Sequence, residues 1–90
     1  MKVLFLNSFK KDLKKIKSAS LKLKIKTVII NLENATDLDE IVNIKKLSGS
    51  NYAYRVRIGD YRMGFYFENR TVLIARFLKR SDIYKVFPKS

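Results

Sequence analysis

Cysteine and histidine are both missing from this sequence of 90 residues. Without cysteine the chain can form neither disulfide bonds nor thiolate metal sites. Without histidine it lacks the commonest general base, so Ser-His and Cys-His catalytic sites and ordinary zinc sites are excluded. Any catalysis must use lysine, arginine, tyrosine or carboxylate side chains, and we expect no metal ion or other cofactor.

Acidic residues are scarce as well: 8 Asp and Glu stand against 20 Lys and Arg, for a formal net charge of +12. So strong an excess of positive charge predicts nucleic acid, an acidic protein, or both as partners. Long apolar runs are also lacking, because residues 3–6 are far too few for a signal-peptide core or a membrane span. We therefore expect a soluble, cytoplasmic protein.

Apolar residues are nevertheless plentiful. The sequence is 47% hydrophobic and 12% aromatic, which is too rich for a disordered chain and predicts a packed core. Its length fits one domain, and no linker, repeat or low-complexity tract divides it. A single domain over residues 1–90 is the expected organisation.

The first half of the sequence predicts a strand followed by two helices. Residues 2–6 are rich in β-forming side chains, and Ser8 could cap a helix whose apolar face is Phe9, Leu13 and Ile16. Ser20 could cap a second helix with its apolar face at Leu21, Ile25, Val28, Ile29 and Leu32. The Leu-Lys alternation of residues 21–26 leaves a strand as an alternative there. We expect the two helices to form a hairpin.

The second half changes to the period-two pattern of β-strands. Residues 38–47 are interpreted as a further helical turn, and residues 48–51 as a loop. Strands are predicted at 52–58, 61–67 and 71–78, with a short strand or helical turn at 82–87. The predicted fold class is α+β, with an N-terminal strand and an α-helical hairpin packed on an antiparallel sheet.

All six arginines lie in this second half, whereas the first half uses only lysine. Strand alternation places Arg55, Arg57 and Arg62 on the face opposite the apolar set. The guanidinium group grips phosphate or carboxylate with two parallel hydrogen bonds, so this face is suited to phosphates. Alternatively, the arginines only solvate an exposed face; for Arg76 a structural role is at least as plausible as a functional one.

Three stretches resemble the motifs of one protein family. Residues 44–49 (IKKLSG), 54–62 (YRVRIGDYR) and 79–84 (KRSDIY) resemble the K-L-x-G, Y-R-x-R-x-G-D-Y-R and H-R-x-D-x-Y motifs of the RelE/ParE toxin superfamily. The resemblance covers nearly the whole chain. It implies the RelE/ParE fold, which is like that of microbial ribonucleases, and a toxin that is neutralised by a cognate acidic antitoxin.

The resemblance also implies candidate site residues. The expected catalytic set is Arg57, Arg62, Arg80 and Tyr84, and the expected RNA- and phosphate-binding set is Arg55, Lys79, Lys45 and Lys46. Many family members have histidine where this sequence has Lys79. Arginine cannot act as a general base at ordinary pH, so Tyr84 or Lys79 is expected to assist proton transfer.

Two branches of the family imply different activities. RelE-like members cut messenger RNA in the ribosomal A site, and ParE-like members inhibit DNA gyrase. The arginine-rich face favours a ribosome-dependent messenger RNA endonuclease, with the ribosome, messenger RNA and an antitoxin as partners in a heteromeric toxin-antitoxin complex, and no membrane. The alternatives are a gyrase inhibitor and a toxin-like protein that has lost activity and only binds its antitoxin.

Overall fold

The computed structural model describes residues 1–88, so the last two residues of the predicted domain lie outside the described residues. The elements within that range, in chain order, are β1 (Lys2–Phe5), α1 (Asn7–Lys14), α2 (Ala19–Asn34), a 3-10 turn (Leu38–Glu40), β2 (Ile44–Lys46), β3 (Ala53–Ile58), β4 (Tyr61–Glu68), β5 (Thr71–Lys79) and α3 (Arg80–Ile83). The predicted α+β fold is confirmed. None of the helices within residues 1–88 is long and apolar enough to cross a membrane.

The five strands form one sheet in the order β1-β5-β4-β3-β2. Strands β2 to β5 pair antiparallel, and β1 joins β5 in parallel. The turn between β4 and β5 has positive φ at Asn69 (52°) and Arg70 (57°), a backbone that matches the twist of a tight hairpin. The Arg70 guanidinium donates a hydrogen bond to the Thr36 carbonyl, which ties this turn to the segment after α2.

One face of the sheet packs against α1 and α2 and forms the main core. Alternate residues of β3, β4 and β5 point to this face, as the pleat of a strand requires. They meet apolar side chains from both helices, and the fully buried large members of this cluster are Phe9, Ile25, Leu32, Val56, Met63, Phe65, Val72, Ile74 and Phe77. The opposite face carries a smaller apolar cluster of Leu47, Ala53, Ala75, Ile83 and Phe87. Below, this second face is called the open face.

Helix α1 covers the edge of β5 beyond the point where β1 ends. The Ser8 hydroxyl donates to the Ala75 carbonyl at 2.6 Å, so Ser8 does not cap α1 as predicted. The buried Asp12 carboxylate accepts from the Phe77 N–H at 2.9 Å and from two guanidinium nitrogens of Arg76 at 2.8 and 3.1 Å. The hydrogen bonds from Arg76 to the Asp12 carboxylate raise the pKa of Arg76 above its ordinary value. Arg76 therefore has a structural role.

Three other local predictions need correction. Helix α2 begins two residues earlier than predicted, with Ser18 rather than Ser20 as its cap, because the Ser18 hydroxyl accepts from the Leu21 N–H at 3.2 Å. The strand alternative for residues 21–26 is wrong, since α2 runs through them. The helical turn predicted for residues 38–47 is confined to Leu38–Glu40, and the remainder contains the edge strand β2.

Candidate nucleic-acid interface

The β3–β4 hairpin brings the predicted arginines together on the open face. Arg57 lies directly opposite Arg62, and Arg55 lies opposite Gly64. Their neighbours Val56 and Met63 point to the other face and are buried in the main core. Burial of the apolar set thus fixes the strand register, and the register sets the positions of the arginines.

The residue before β2 orients two of these arginines. Asn43 has a positive φ of 65°, a left-handed backbone that asparagine tolerates better than most residues. Its carbonyl oxygen accepts from Arg55 Nη1 at 2.7 Å, and its side-chain Oδ1 accepts from Arg57 Nη2 at 3.3 Å. Asn43 was not among the predicted site residues, because its hydrogen bonds to the arginines depend on the path of the loop before β2.

Arg62 is the most buried of the arginines, with 9% of its surface exposed. Its Nη1 donates to two carbonyl oxygens of the adjoining turn, those of Gly59 at 3.0 Å and Tyr61 at 2.9 Å. Neutral carbonyls orient the guanidinium without cancelling its charge. Arg62 therefore contributes a fixed positive charge at the end of the hairpin.

The segment after β5 completes the site. The Arg80 N–H donates to the Asp60 carbonyl at 2.9 Å, which ties the start of α3 to the β3–β4 turn. Ile83 and Phe87 are buried in the apolar cluster of the open face and anchor the segment there. Between these anchors Tyr84 remains half exposed. Arg80 and Tyr84 are thereby held beside the arginines of the hairpin.

Together these elements enclose a cleft of about 920 Å³ on the open face, which we call the arginine cleft. The described residues that line it are Lys45, Lys46, Leu47, Ser48, Ser50, Arg55, Arg57, Arg62, Arg80, Tyr84, Phe87 and Pro88. Six of them are basic and none is acidic. The structure therefore brings together seven of the eight predicted site residues.

Lys79 is the predicted residue that does not line the cleft. It lies directly opposite Tyr61 at the end of β5, and directly opposed residues of antiparallel strands share a face. Tyr61 packs against the main core, on the helix side of the sheet. Lys79 therefore points to the helix side of the sheet, and its neighbour Arg80 lies in the cleft.

The basic side chains of the cleft form no salt bridge within residues 1–88, although three of them donate hydrogen bonds to neutral oxygens. The salt bridges in that range join Arg76 to Asp12 and Lys85 to Asp82, and both lie outside the lining of the cleft. The Arg55 Nε is buried, and the described part of the chain offers it no hydrogen-bond acceptor. A buried donor without an acceptor is costly in free energy.

This arrangement suits an anion more than a metal ion. No group of three acidic side chains that could hold a metal comes together within residues 1–88. Guanidinium forks bind phosphate oxygens through paired hydrogen bonds, and a cleft lined by one sign of charge concentrates oppositely charged ligands. Tyr84 adds a phenolic hydroxyl that can donate or accept a proton.

Comparison with known proteins identifies close relatives. The family model described as the ParE toxin of the type II toxin-antitoxin system parDE matches residues 3–84. Toxin RelE3 of Methanocaldococcus jannaschii is 38% identical over 89 residues, which are 98% of this chain and 100% of that protein.

Solved structures agree with this. The toxin-antitoxin complex RelB-RelE from Methanococcus jannaschii contains a chain that superposes with a TM-score of 0.81 at 35% identity, covering 94% of this chain and 99% of that one. The isolated E. coli RelE toxin gives a TM-score of 0.65 at 20% identity, covering 93% of this chain and 90% of that one. The latter similarity shows the fold alone.

Proposed function

Since this chain belongs to the RelE/ParE superfamily of type II toxin-antitoxin toxins, we propose that it is a ribosome-dependent endoribonuclease that cuts messenger RNA. The arginine cleft is the observation that carries this proposal, because its described lining has six basic side chains and Tyr84 but no carboxylate. A groove of unpaired cations suits the phosphates of a single RNA strand. This activity belongs in the cytoplasm, where messenger RNA is translated.

The proposed reaction is an internal transfer at one phosphate. The ribose 2′-oxygen attacks the adjacent phosphorus, the bond from phosphorus to the 5′-oxygen of the next nucleotide breaks, and a 2′,3′-cyclic phosphate forms. The 2′-hydroxyl loses a proton and the departing 5′-oxygen gains one. Negative charge builds up on the phosphate oxygens in the transition state, where fixed cations lower the barrier most.

Different cleft residues neutralise the phosphate, hold its neighbours and transfer the proton. Arg57, Arg62 and Arg80 neutralise the reacting phosphate, and Arg55 with the β2 lysines holds the neighbouring phosphates. Tyr84 donates a proton to the departing 5′-oxygen. No carboxylate lines the described cleft and the sequence has no histidine, so in this scheme the ribosome supplies the proton acceptor and completes the site.

An antitoxin is the second proposed partner. The M. jannaschii relative was crystallised as a complex of RelE with the antitoxin RelB. In this chain α1 and α2 line an apolar groove of about 690 Å³, bordered by Lys10, Lys14, Lys22 and Lys26. An acidic, amphipathic antitoxin segment would bury apolar side chains in that groove, pair with its lysines, and mask the basic surface. The complex should weaken as salt is raised.

Gyrase inhibition remains the second candidate, because the matching family model describes ParE toxins. The cleft favours the nuclease, since an unpaired set of phosphate-binding side chains has no evident use in an inhibitor without chemistry of its own. The 38% identity to a RelE toxin over almost the full chain supports the same choice.

The test is translation of a reporter in a bacterial cell-free extract, with primer extension to locate cuts in the message. Wild-type protein should produce ribosome-dependent cuts. Arg57→Ala and Arg80→Ala should each reduce the cutting rate by about 100-fold, the typical effect of losing one donor to a developing oxyanion. Arg70→Ala is the matched control, because Arg70 lies at the β4–β5 turn outside the cleft lining.

Full inhibition by the Arg57→Ala and Arg80→Ala proteins would contradict the assignment of the site. An intact message and normal translation with wild-type protein would contradict the nuclease proposal itself. DNA relaxation assays with gyrase would then distinguish a gyrase inhibitor from a toxin-like protein that only binds its antitoxin.

A further inference from the structure

A second, smaller pocket lies on the open face, at the other end of the strands. We call it the aromatic pocket; it is lined by Tyr52, Tyr66, Glu68, Thr71 and Leu73. Its volume of about 310 Å³ is at the lower end of the range of about 300–1,000 Å³ for small-molecule sites. The proposed function does not use this pocket.

The two pockets adjoin each other. Residues 62, 64, 66 and 68 of β4 follow one another along the open face, and Gly64 is separated from Tyr66 by about 7 Å. Phe87 lines the arginine cleft, and its ring centroid is 5.1 Å from that of Tyr66. The Tyr66 ring is in turn 5.7 Å from the Tyr52 ring. An aromatic row thus leads from the cleft into the aromatic pocket.

The chemistry changes along this row. The described lining of the aromatic pocket contains no lysine or arginine, two phenol rings and one carboxylate. Glu68 would repel a phosphate, whereas a neutral nucleobase can stack on a ring and donate a hydrogen bond to a carboxylate. Tyr52 is 47% exposed, so its ring is available for stacking.

We propose that the aromatic pocket binds the nucleobase next to the phosphate held in the arginine cleft. The inference rests on the proposed function, because it takes single-stranded RNA as the ligand of the cleft. The base stacks on Tyr52 beside Tyr66, and Glu68 accepts a hydrogen bond from an exocyclic amino group. Uracil lacks that group, so the pocket gives the enzyme a preference for cytosine and the purines at this position.

The first test measures binding without catalysis. Short single-stranded RNAs with 2′-O-methyl riboses, which cannot be cut, are titrated with purified protein and followed by fluorescence anisotropy. Tyr52→Ala should weaken binding by about 5- to 150-fold, the range for loss of one stacked base. Tyr52→Phe should bind like wild type, because it keeps the ring. Val42→Ala, at an exposed apolar residue outside both pockets, is the control.

The second test concerns base preference. A cytosine-containing RNA should bind wild-type protein more tightly than the same RNA with uracil, and Glu68→Gln should reduce that difference. Circular dichroism confirms that each variant is folded. Equal affinity of Tyr52→Ala and wild type for the RNAs, with both proteins folded, would overturn the inference.

Mapping of cut sites separates this inference from the proposed function. If wild-type protein makes no cuts, the proposed nuclease fails and the binding experiment still decides the pocket. If wild-type protein cuts, Tyr52→Ala should cut with a flatter base preference beside the cleavage site, and an unchanged cutting pattern would overturn the inference. Loss of antitoxin binding by Tyr52→Ala with normal RNA binding would overturn it too, because the pocket would then be a protein-binding surface.

Discussion

At the scale of single residues, Asp12 connects α1 to β5 through both the backbone and a side chain of the strand. Its carboxylate belongs to α1, accepts from the β5 backbone at Phe77, and pairs with the Arg76 guanidinium. Only 3% of its side chain is exposed, whereas Arg76 retains 25%. The carboxylate thus serves in place of the strand partner that β5 lacks beyond the end of β1.

Replacing Asp12 should therefore destabilise the fold. Asp12→Ala leaves a buried N–H and a partly buried guanidinium without their acceptor, and should lower the free energy of unfolding by about 3 kcal/mol. Asp12→Asn should cost less, because it keeps an acceptor for the Phe77 N–H. Urea denaturation gives the values.

Asp82→Ala is the control for this prediction. The Asp82–Lys85 pair spans 3.9 Å and both side chains are more than half exposed, so its loss should change stability by less than about 1 kcal/mol. Equal losses at Asp12 and Asp82 would contradict the role given to Asp12.

The face of the sheet on which a residue lies could be predicted from sequence where strand alternation determines it. Val56 and Ile58 require burial, and that requirement places Arg55 and Arg57 on the other face. The same reasoning fails for Asn43, whose hydrogen bonds to the arginines depend on the path of a loop. Ser8 was misassigned as a helix cap because its hydroxyl bonds to Ala75, a contact between residues 67 apart in sequence.

At the scale of elements, the segment that follows β5 determines whether the cleft exists. It contributes Arg80, Tyr84 and Phe87 to the lining, and its Phe87 ring covers Gly64 of β4. A Cβ placed at residue 64 would lie 2.6 Å from the Phe87 ring, closer than van der Waals contact allows. The absence of a side chain at Gly64 therefore permits the segment to lie on the sheet.

Gly64→Ala should displace the C-terminal segment from the sheet. We expect a loss of about 1–3 kcal/mol in unfolding free energy from overpacking, and a lower cutting rate because Arg80 and Tyr84 move with the segment. Denaturation and the primer-extension assay provide the two measurements.

A double-mutant cycle supplies the control. In a Phe87→Leu background the ring is gone, so adding Gly64→Ala should cost less than it does in the wild type. Additive costs would show that Gly64 and Phe87 are not coupled and would refute the mechanism.

The order of the elements could be predicted from sequence, because helical and strand periodicities are local signals. Strand β2 could not, since residues 44–46 are too few to show alternation and pair with β3 only after a loop. The parallel pairing of β1 with β5 could not be predicted either, because no local sequence feature of a strand indicates a partner about seventy residues away.

At the scale of the whole molecule, the chain carries a net charge of +12, and basic residues cluster at two separate surfaces. The arginine cleft holds unpaired cations on the open face, and lysines border the groove between the helices on the other side. Composition predicted a polyanionic partner but could not separate these surfaces. If RNA binds in the cleft, removing a cleft charge should change the salt dependence of RNA binding, whereas removing a charge at the helix groove should not.

The salt dependence of RNA binding should reveal this division. For single strands, log K falls with log salt by about 0.7 per neutralised phosphate. Arg57→Ala should therefore reduce the slope by about 0.7, measured by anisotropy between about 50 and 200 mM salt. Lys14→Ala, in the helix groove, should leave the slope unchanged. Equal changes in both variants would show that RNA is attracted by net charge rather than held in the cleft.

The strand order has a consequence for the synthesis of this protein. Among the described residues, β1 pairs only with β5, so the first strand to be synthesised cannot join the sheet until the last strand has been made. Contacts this distant in sequence form late, because the intervening chain must be ordered first. Cotranslational folding therefore leaves β1 unpaired while most of the chain emerges from the ribosome. The arginine cleft, which needs α3 beyond β5, is among the last features of the molecule to form.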